Sequence, residues 1–314
     1  MKMNCLFCYQ PLEKNQNNFH PNCSKKMFGT ATPPEIDFDL KQLEELAKQI
    51  IIKSVAVTGV QPKLSLDLEK IKGESPRLTI VGLHGDYILK PPSAQYQELP
   101  ENEDVTMHLA ELVKINTAKH SLIRLQSGEL AYITKRFDRN AGEKIAVEDF
   151  CQLSENLTEH KYRGSIEKIG KIADKFTANK GFEAQRLFEL VLFSFLTGNA
   201  DMHLKNFSLI ENQLGEFEFS PAYDLLSTTL VIPDDNEESA LTINGKKSRL
   251  KLSDFDALAK SLGINEKSLQ SIYGRFKKVQ PKWEAFIQQS FLSNEMKENY
   301  IKLINEKFNQ LNLV

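Results

Sequence analysis

Residues 184–196, AQRLFELVLFSFL, carry apolar side chains nearly all the way round a helical projection. A helix without a polar face must be surrounded by other elements, so this segment predicts a central buried helix inside a layered lobe. The chain is long enough to build one. Its 314 residues correspond to roughly two domains or one bilobal unit. That length buries a sizeable core without disulfide staples. With 41% apolar and 26% charged residues, the composition is that of a globular chain rather than a disordered one.

Charge removes the simplest case for a nucleic-acid binder. Forty basic residues stand against forty-two acidic, a net charge of −2, whereas a nucleic-acid binder needs a basic excess or patch. No apolar run reaches membrane-spanning length. The start, MKMNCLFCYQ, has no apolar signal region. The expectation is a cytoplasmic chain with neither direct nucleic-acid binding nor a membrane partner. Cysteines at 5, 8, 23 and 151 do not read as a disulfide framework in such a chain.

The organisation changes along the chain. Residues 1–28 are polar and hold CLFC and HPNC, and 29–38 carry Pro33-Pro34 and read as a linker. A helix is predicted from Asp39, with Leu40, Leu43, Leu46, Ala47, Ile50 and Ile51 on its apolar face. Ser54 to Pro62 reads as a turn. Strands are predicted over Leu64–Leu68, Leu78–Val81, Tyr87–Lys90 and Leu130–Phe137, and a helix from Asn102 to Ile115. Beyond Phe137 the pattern is helical. It is interrupted by short strands at Phe207–Ile210 and Glu216–Phe219, joined by a turn at Asn212–Gly215, and three or four amphipathic helices follow Ser253. The fold class read from this is α+β: a small Cys/His appendage (1–28), a strand-rich lobe (29–137) and a helical lobe (138–314). A nucleotide held between two unlike lobes is a common use of that layout, but only a site can carry a functional claim.

The chemistry concentrates in TGNADMHLKNFSLI and SPAYDLL. Asp201 is followed five residues later by Asn206, and Asp224 lies 18 residues beyond. Protein kinases need these groups in this order: an Asp for the substrate hydroxyl, an Asn for one Mg²⁺ and a second Asp for Mg²⁺ between phosphates. Lys205 lies within the loop, where it could neutralise charge on the transferred group, and His203 could contact the loop or a phosphate. Upstream, Lys90 ends a predicted strand as a phosphate-pairing lysine does, and Glu103, 13 residues later, could pair with it. A loop of Ser54–Lys63 with Gly59, Gln61 and Lys63 could cover the phosphates, although it lacks GxGxxG. No GxxxxGK[ST] loop is present, which argues against a P-loop NTPase. Taken singly, an Asp or Asn near a turn is a turn-former and a strand-end lysine is solvated. The joint order of Lys90, Glu103, Asp201, Asn206 and Asp224 favours the kinase reading.

GVQPKLSL, YILKPPS, Asn102-Glu103, KRFDR, VEDFCQL, GNADMHLKNFSL and SPAYDLLS stand in the order typical of HipA-like serine/threonine kinases, toxins of bacterial type II toxin–antitoxin systems. The resemblance covers roughly residues 50 to 310, and the short length resembles the HipT branch. It implies a bilobal protein-kinase-like fold and use of ATP and Mg²⁺. Asp201 would be the catalytic base, with His203 and Lys205 in the catalytic loop. Asn206 and Asp224 would hold Mg²⁺ and Lys90 the ATP phosphates. Lys135, Arg136 and Phe137 would form the adenine hinge, with Asp138 close to the nucleotide. It further implies phosphorylation of a protein such as an aminoacyl-tRNA synthetase, a HipB-like DNA-binding antitoxin and a small HipS-like protein as partners, and autophosphorylation in the loop before GVQPK. HipA has a serine three residues before the loop glycine, where this chain has Ala56, so Ser54 and then Thr58 are the hydroxyls available. A phosphate there would compete with ATP or expel the loop.

Two readings from other classes stay open. Aminoglycoside-type phosphotransferases use the same Asp, Asn and Asp, but their loop usually has His before the catalytic Asp, whereas His203 comes after it. A non-catalytic regulatory or DNA-bound module on a kinase fold, with the Cys/His segment as its adaptor, would not need every metal and lysine position filled.

At the N-terminus, Cys5-x-x-Cys8 and His20-x-x-Cys23 give four ligands in two close pairs, suited to a structural tetrahedral Zn²⁺. The alternative is reduced cysteines packed against the lobe with His20 on the surface. Cys151 reads as a core residue, Trp283 as core packing, and the run Lys246, Lys247, Arg249 and Lys251 as a solvated face.

Overall fold

The structure, a computed structural model, describes residues 3–43, 45–46, 62–71, 73–81, 85–140, 143–232 and 235–313. They form two compact units. The first comprises Met1–Asp104, Ala118–Gly142 and Gln289–Phe291, and the second Val105–Thr117, Glu143–Gln288 and Leu292–Val314. The Cys/His segment shares a core with the strands, and the second half of the Leu99–Leu112 helix packs with the helical unit.

The first unit is built on a five-stranded antiparallel sheet. Its strands are β1 (Leu64–Glu69), β2 (Arg77–Ile80), β3 (Tyr87–Lys90), β4 (His120–Arg124) and β5 (Leu130–Lys135), in the order β2-β1-β3-β5-β4. The register aligns Leu64 with Leu89, Leu66 with Tyr87, and Leu89 with Ile133, one row of apolar side chains on one face. That row joins Cys5, Leu6, Phe19, Cys23, Met27 and Phe28 of the N-terminal segment in a single core. The alternation sends Lys90, which pairs with Tyr132, to the other face, together with His120 on β4. At Gly85, ahead of β3, a Cβ would lie 2.3 Å from the Leu66 carbonyl oxygen, so only glycine permits this approach.

The strand β4 was not expected from the sequence. HSLIR has no clean alternation because His120 and Ser121 are themselves buried, held by Asp104 and by the Leu6 carbonyl. The predicted helix at 102–115 begins earlier, at Leu99, and ends at Leu112. Much of the predicted helix after Asp39 lies outside the described residues.

In the second unit the helix Lys180–Leu196 is buried along most of its length, as its all-round apolar pattern requires. Phe188 packs on Phe255 and Tyr273, and Phe193 on Trp283. Trp283 is fully buried and its indole N–H donates to the Leu109 carbonyl at 2.9 Å. Buried Glu183 accepts from the Phe219 amide at 2.8 Å and tethers a hairpin to the helix. That hairpin, Ser208–Glu211 and Phe217–Phe219, forms a three-stranded sheet with Val147–Asp149. Helices Leu252–Ser261, Glu266–Gln289 and Asn294–Gln310 complete the unit. Lys246 and Lys247 of the basic run pair with Asp254 and Glu237, and Cys151 is buried. Among the described residues no helix is long and apolar enough to cross a membrane.

Candidate active site

In the first unit, β3 ends at Lys90, whose Nζ donates to Glu103 Oε1 at 2.5 Å. The two side chains are only 4% and 1% exposed, and the ammonium also lies 5.2 Å from the Tyr132 ring centroid. A buried ion pair loses solvation that its Coulomb attraction barely restores, so it is a poor stability device. It is a good way to fix one lysine in one place. Beside it, fully buried Asp104 accepts from the Tyr9 hydroxyl at 2.6 Å and pairs with His120 Nδ1 at 2.7 Å.

The segment after β5 is tied by its backbone and charges. The Arg136 amide donates to the Asp86 carbonyl at 2.8 Å. Its guanidinium grips both Asp138 oxygens at 2.9 and 2.6 Å, and Arg139 adds a contact at 2.7 Å. Burial pushes the Asp138 carboxyl up, but the two guanidiniums outweigh it and hold the group below its ordinary value. Lys135 and Phe137 are half-buried in this segment, and Lys63 is exposed. Ser54, Thr58, Gly59 and Gln61 lie outside the described residues.

In the second unit the central helix stops at Thr197, and Gly198 takes a left-handed conformation with φ of 67°. The chain then enters the Asp201 loop. Asp201 Oδ1 accepts the Tyr162 hydroxyl at 2.8 Å. Burial and the Asp201 carboxylate both raise the Tyr162 hydroxyl far above its ordinary value, so it stays a donor. Asn206 is buried and its Nδ2 donates to the Asp201 carbonyl at 3.0 Å, which closes the loop. His203 is 6% exposed, with its ring edge-on to Tyr162. Its Nδ1 is buried without a hydrogen-bond partner among the described residues. Burial lowers its basicity more than nearby Asp201 raises it, so the imidazole is neutral near pH 7.

Lys205, the other charged residue of the loop, donates to Asp149 Oδ2 at 2.7 Å. Its carbonyl accepts the Tyr223 hydroxyl at 2.8 Å, and that hydroxyl also meets Ser208 Oγ at 2.5 Å. The next residue, Asp224, sits at φ 55°, a left-handed conformation that is unfavourable for a non-glycine side chain and tends to occur at functional sites. The donor set fits Mg²⁺. With its amide nitrogen committed to Asp201, Asn206 has its oxygen as the ligand end, and Asp224 offers a carboxylate, both hard donors.

The structure thus gathers Asp201, His203, Lys205 and Asn206 in one loop of the second unit, and Lys90 with Glu103 in the first. Cys5, Cys8, His20 and Cys23 converge with their ligand atoms all within 4.8 Å of one another. Sequence reasoning missed Tyr162, Asp149 and Tyr223. VEDFCQL had entered as a block, but nothing in it marks Asp149 as the partner of Lys205.

Comparison with known proteins follows the same lines. The HipA-like C-terminal domain matches residues 55–283. A putative kinase, Y4dM, of Sinorhizobium fredii is 33% identical over 73% of this chain and 59% of its own length. A putative kinase of Haemophilus influenzae is 24% identical over 99% of this chain and 98% of its own. The serine/threonine-protein kinase toxin HipA of Shewanella oneidensis is 29% identical over 60% of this chain. The chain thus spans 59% of the Sinorhizobium relative and 47% of the Shewanella one. Among solved structures, Shewanella HipA in its complex with HipB and operator DNA superposes with a TM-score of 0.68 at 24% identity, covering 82% of this chain and 65% of that one. The Helicobacter pylori proinflammatory kinase CtkA gives 0.53 at 15% identity, covering 74% and 90%. The fold is therefore the mixed α and β, kinase-like fold of these neighbours, and the chain belongs to the HipA-like C-terminal domain family.

Proposed function

We propose that the chain is an ATP- and Mg²⁺-dependent serine/threonine protein kinase that acts as the toxin of a toxin–antitoxin system. The observation that carries this reading is the Asp201 loop. One carboxylate oxygen already accepts a hydroxyl at 2.8 Å, and Asn206 is locked five residues away with its oxygen as the ligand end. A general base must lie within hydrogen-bond reach of the proton it takes, and Asp201 meets that requirement toward a hydroxyl. Lys90, fixed by Glu103, serves as the phosphate-binding ammonium. Neutral His203 adds no positive charge that would weaken the base. Mg²⁺, held by Asn206 and Asp224 when bound, supplies the charge neutralisation that phosphoryl transfer requires.

In this reading the substrate is a serine or threonine of a translation component such as an aminoacyl-tRNA synthetase. Ser54 and Thr58 are the self-modified hydroxyls, and Arg136, Phe137 and Asp138 border the nucleotide. The partners are a HipB-like DNA-binding antitoxin, as in the Shewanella complex, and a small HipS-like protein, in the cytoplasm. The test is growth of a host expressing the wild type or Asp201→Ala. Arrest by the wild type alone supports the proposal, and equal arrest by both contradicts a catalytic toxin.

A further inference from the structure

The N-terminal segment is a hairpin followed by a short helix, and its apolar residues pack into the core shared with the sheet rather than building one of their own. The Cys5 amide donates to the Gln10 carbonyl and the Tyr9 amide to the Cys5 carbonyl, both at 2.9 Å. This tight turn brings Cys5 and Cys8 to one side. His20 stands immediately before the Pro21–Phe28 helix, and Cys23 lies in that helix's first turn. The segment has the two-pair layout of a small metal-bound module.

The distances match a tetrahedral ion. Zn–S bonds of about 2.3 Å and Zn–N bonds of about 2.0 Å place neighbouring S and N ligands about 3.5 Å apart across a tetrahedral edge. His20 Nδ1 lies 3.4 Å from Cys8 Sγ and 3.7 Å from Cys23 Sγ. The tautomer is also set. His20 Nε2 is 3.1 Å from the Pro11 carbonyl, an oxygen that can only accept, so Nε2 carries the proton and Nδ1 presents its lone pair to the sulfurs. The His20 amide points to Cys5 Sγ at 3.5 Å, as backbone donors do around metal thiolates. All four cysteines are free thiols.

We infer that Cys5, Cys8, His20 and Cys23 form a structural zinc site, and that the metal locks Tyr9 into its contact with Asp104. Four protein ligands leave no open position for catalysis. Tyr9 follows the second cysteine directly and sits at φ 62°, unfavourable for an aromatic residue. Chelation on one side and the 2.6 Å bond to Asp104 on the other hold it there. Asp104 is the neighbour of Glu103 on the same helix, so the zinc module fixes the helix turn that presents the Lys90 partner. The site lies outside the residues matched by the family, 55–283, and it stands whether or not the chain transfers phosphate.

The test uses the full-length chain purified without added chelator. Elemental analysis is expected to give about one zinc per chain, and replacement by cobalt(II) to give the visible spectrum of a tetrahedral thiolate site. Cys8→Ser is expected to lose the metal, and Cys151→Ser to keep it. To separate metal loss from misfolding of Cys8→Ser, the wild type is also stripped with a strong chelator. Hydrogen exchange at residues 99–104 is then expected to rise severalfold and to reverse on adding zinc. A chain that binds neither zinc nor cobalt, a disulfide among Cys5, Cys8 and Cys23 in freshly prepared reduced protein, or unchanged exchange after stripping would overturn the inference.

Discussion

The Tyr162 hydroxyl donates to Oδ1 of Asp201 at 2.8 Å, and the tyrosine side chain that delivers it is 43% exposed. If Asp201 is the general base proposed above, the Tyr162 hydroxyl stands where a substrate hydroxyl would bind. Removing its hydroxyl frees the base for substrate. A hydrogen bond to a charged group in a partly exposed site contributes on the order of 1 kcal/mol net. Tyr162→Phe should thus raise kcat/KM about fivefold through KM, with kcat little changed. Steady-state kinetics on a protein substrate check this, and a fall in kcat at constant KM would instead make Tyr162 a positioning residue for Asp201.

Lys90 and Glu103 separate stability from activity. Lys90→Met leaves a buried carboxyl without its ammonium and should destabilise the first unit by about 3 kcal/mol. Adding Glu103→Gln should recover most of that loss, because the uncompensated charge is gone. Neither variant should transfer phosphate. Denaturant unfolding and a phosphotransfer assay on the single and double variants report both quantities. A Lys90→Met chain with undiminished transfer would remove Lys90 from the site.

Glu101 makes stability depend on pH. Burial, reinforced by Glu98 and Asp104, raises its carboxyl from 4.5 to about 7. Below pH 4.5 both folded and unfolded chains hold the proton, and the contribution of this group to stability is fully present. As pH rises toward 7 the unfolded chain ionises while the folded one does not, so that contribution is lost. Glu101→Gln should match the wild type in Tm at pH 4 and exceed it by a few degrees at pH 8. Equal differences at both pH values would show that Glu101 is not held protonated.

How much of this was legible in the sequence depended on separation along the chain. The Asp201–Asn206 spacing and the Cys/His pairs are local, so the residues that carry them stand next to one another in the text. The strand β3 was legible to its ends because Tyr87–Lys90 lies between Gly85 and two prolines. Tyr162 was not, because it reaches Asp201 across 39 residues from an irregular segment without periodicity. The same holds for Asp149 with Lys205, 56 residues apart, and for Tyr9 with Asp104, 95 apart. Strand β4 escaped because its buried face holds a histidine and a serine, whose hydrogen bonds no pattern of apolar residues records.

The central claim is phosphoryl transfer through Asp201. Intact-mass spectrometry of the wild type and of Asp201→Ala, each incubated with Mg²⁺ and ATP and then mapped by peptide, tests it most directly. The account predicts one added phosphate on the wild type alone, on Ser54 or Thr58. Phosphate on both proteins, or on neither while a protein substrate also stays unmodified, would contradict it.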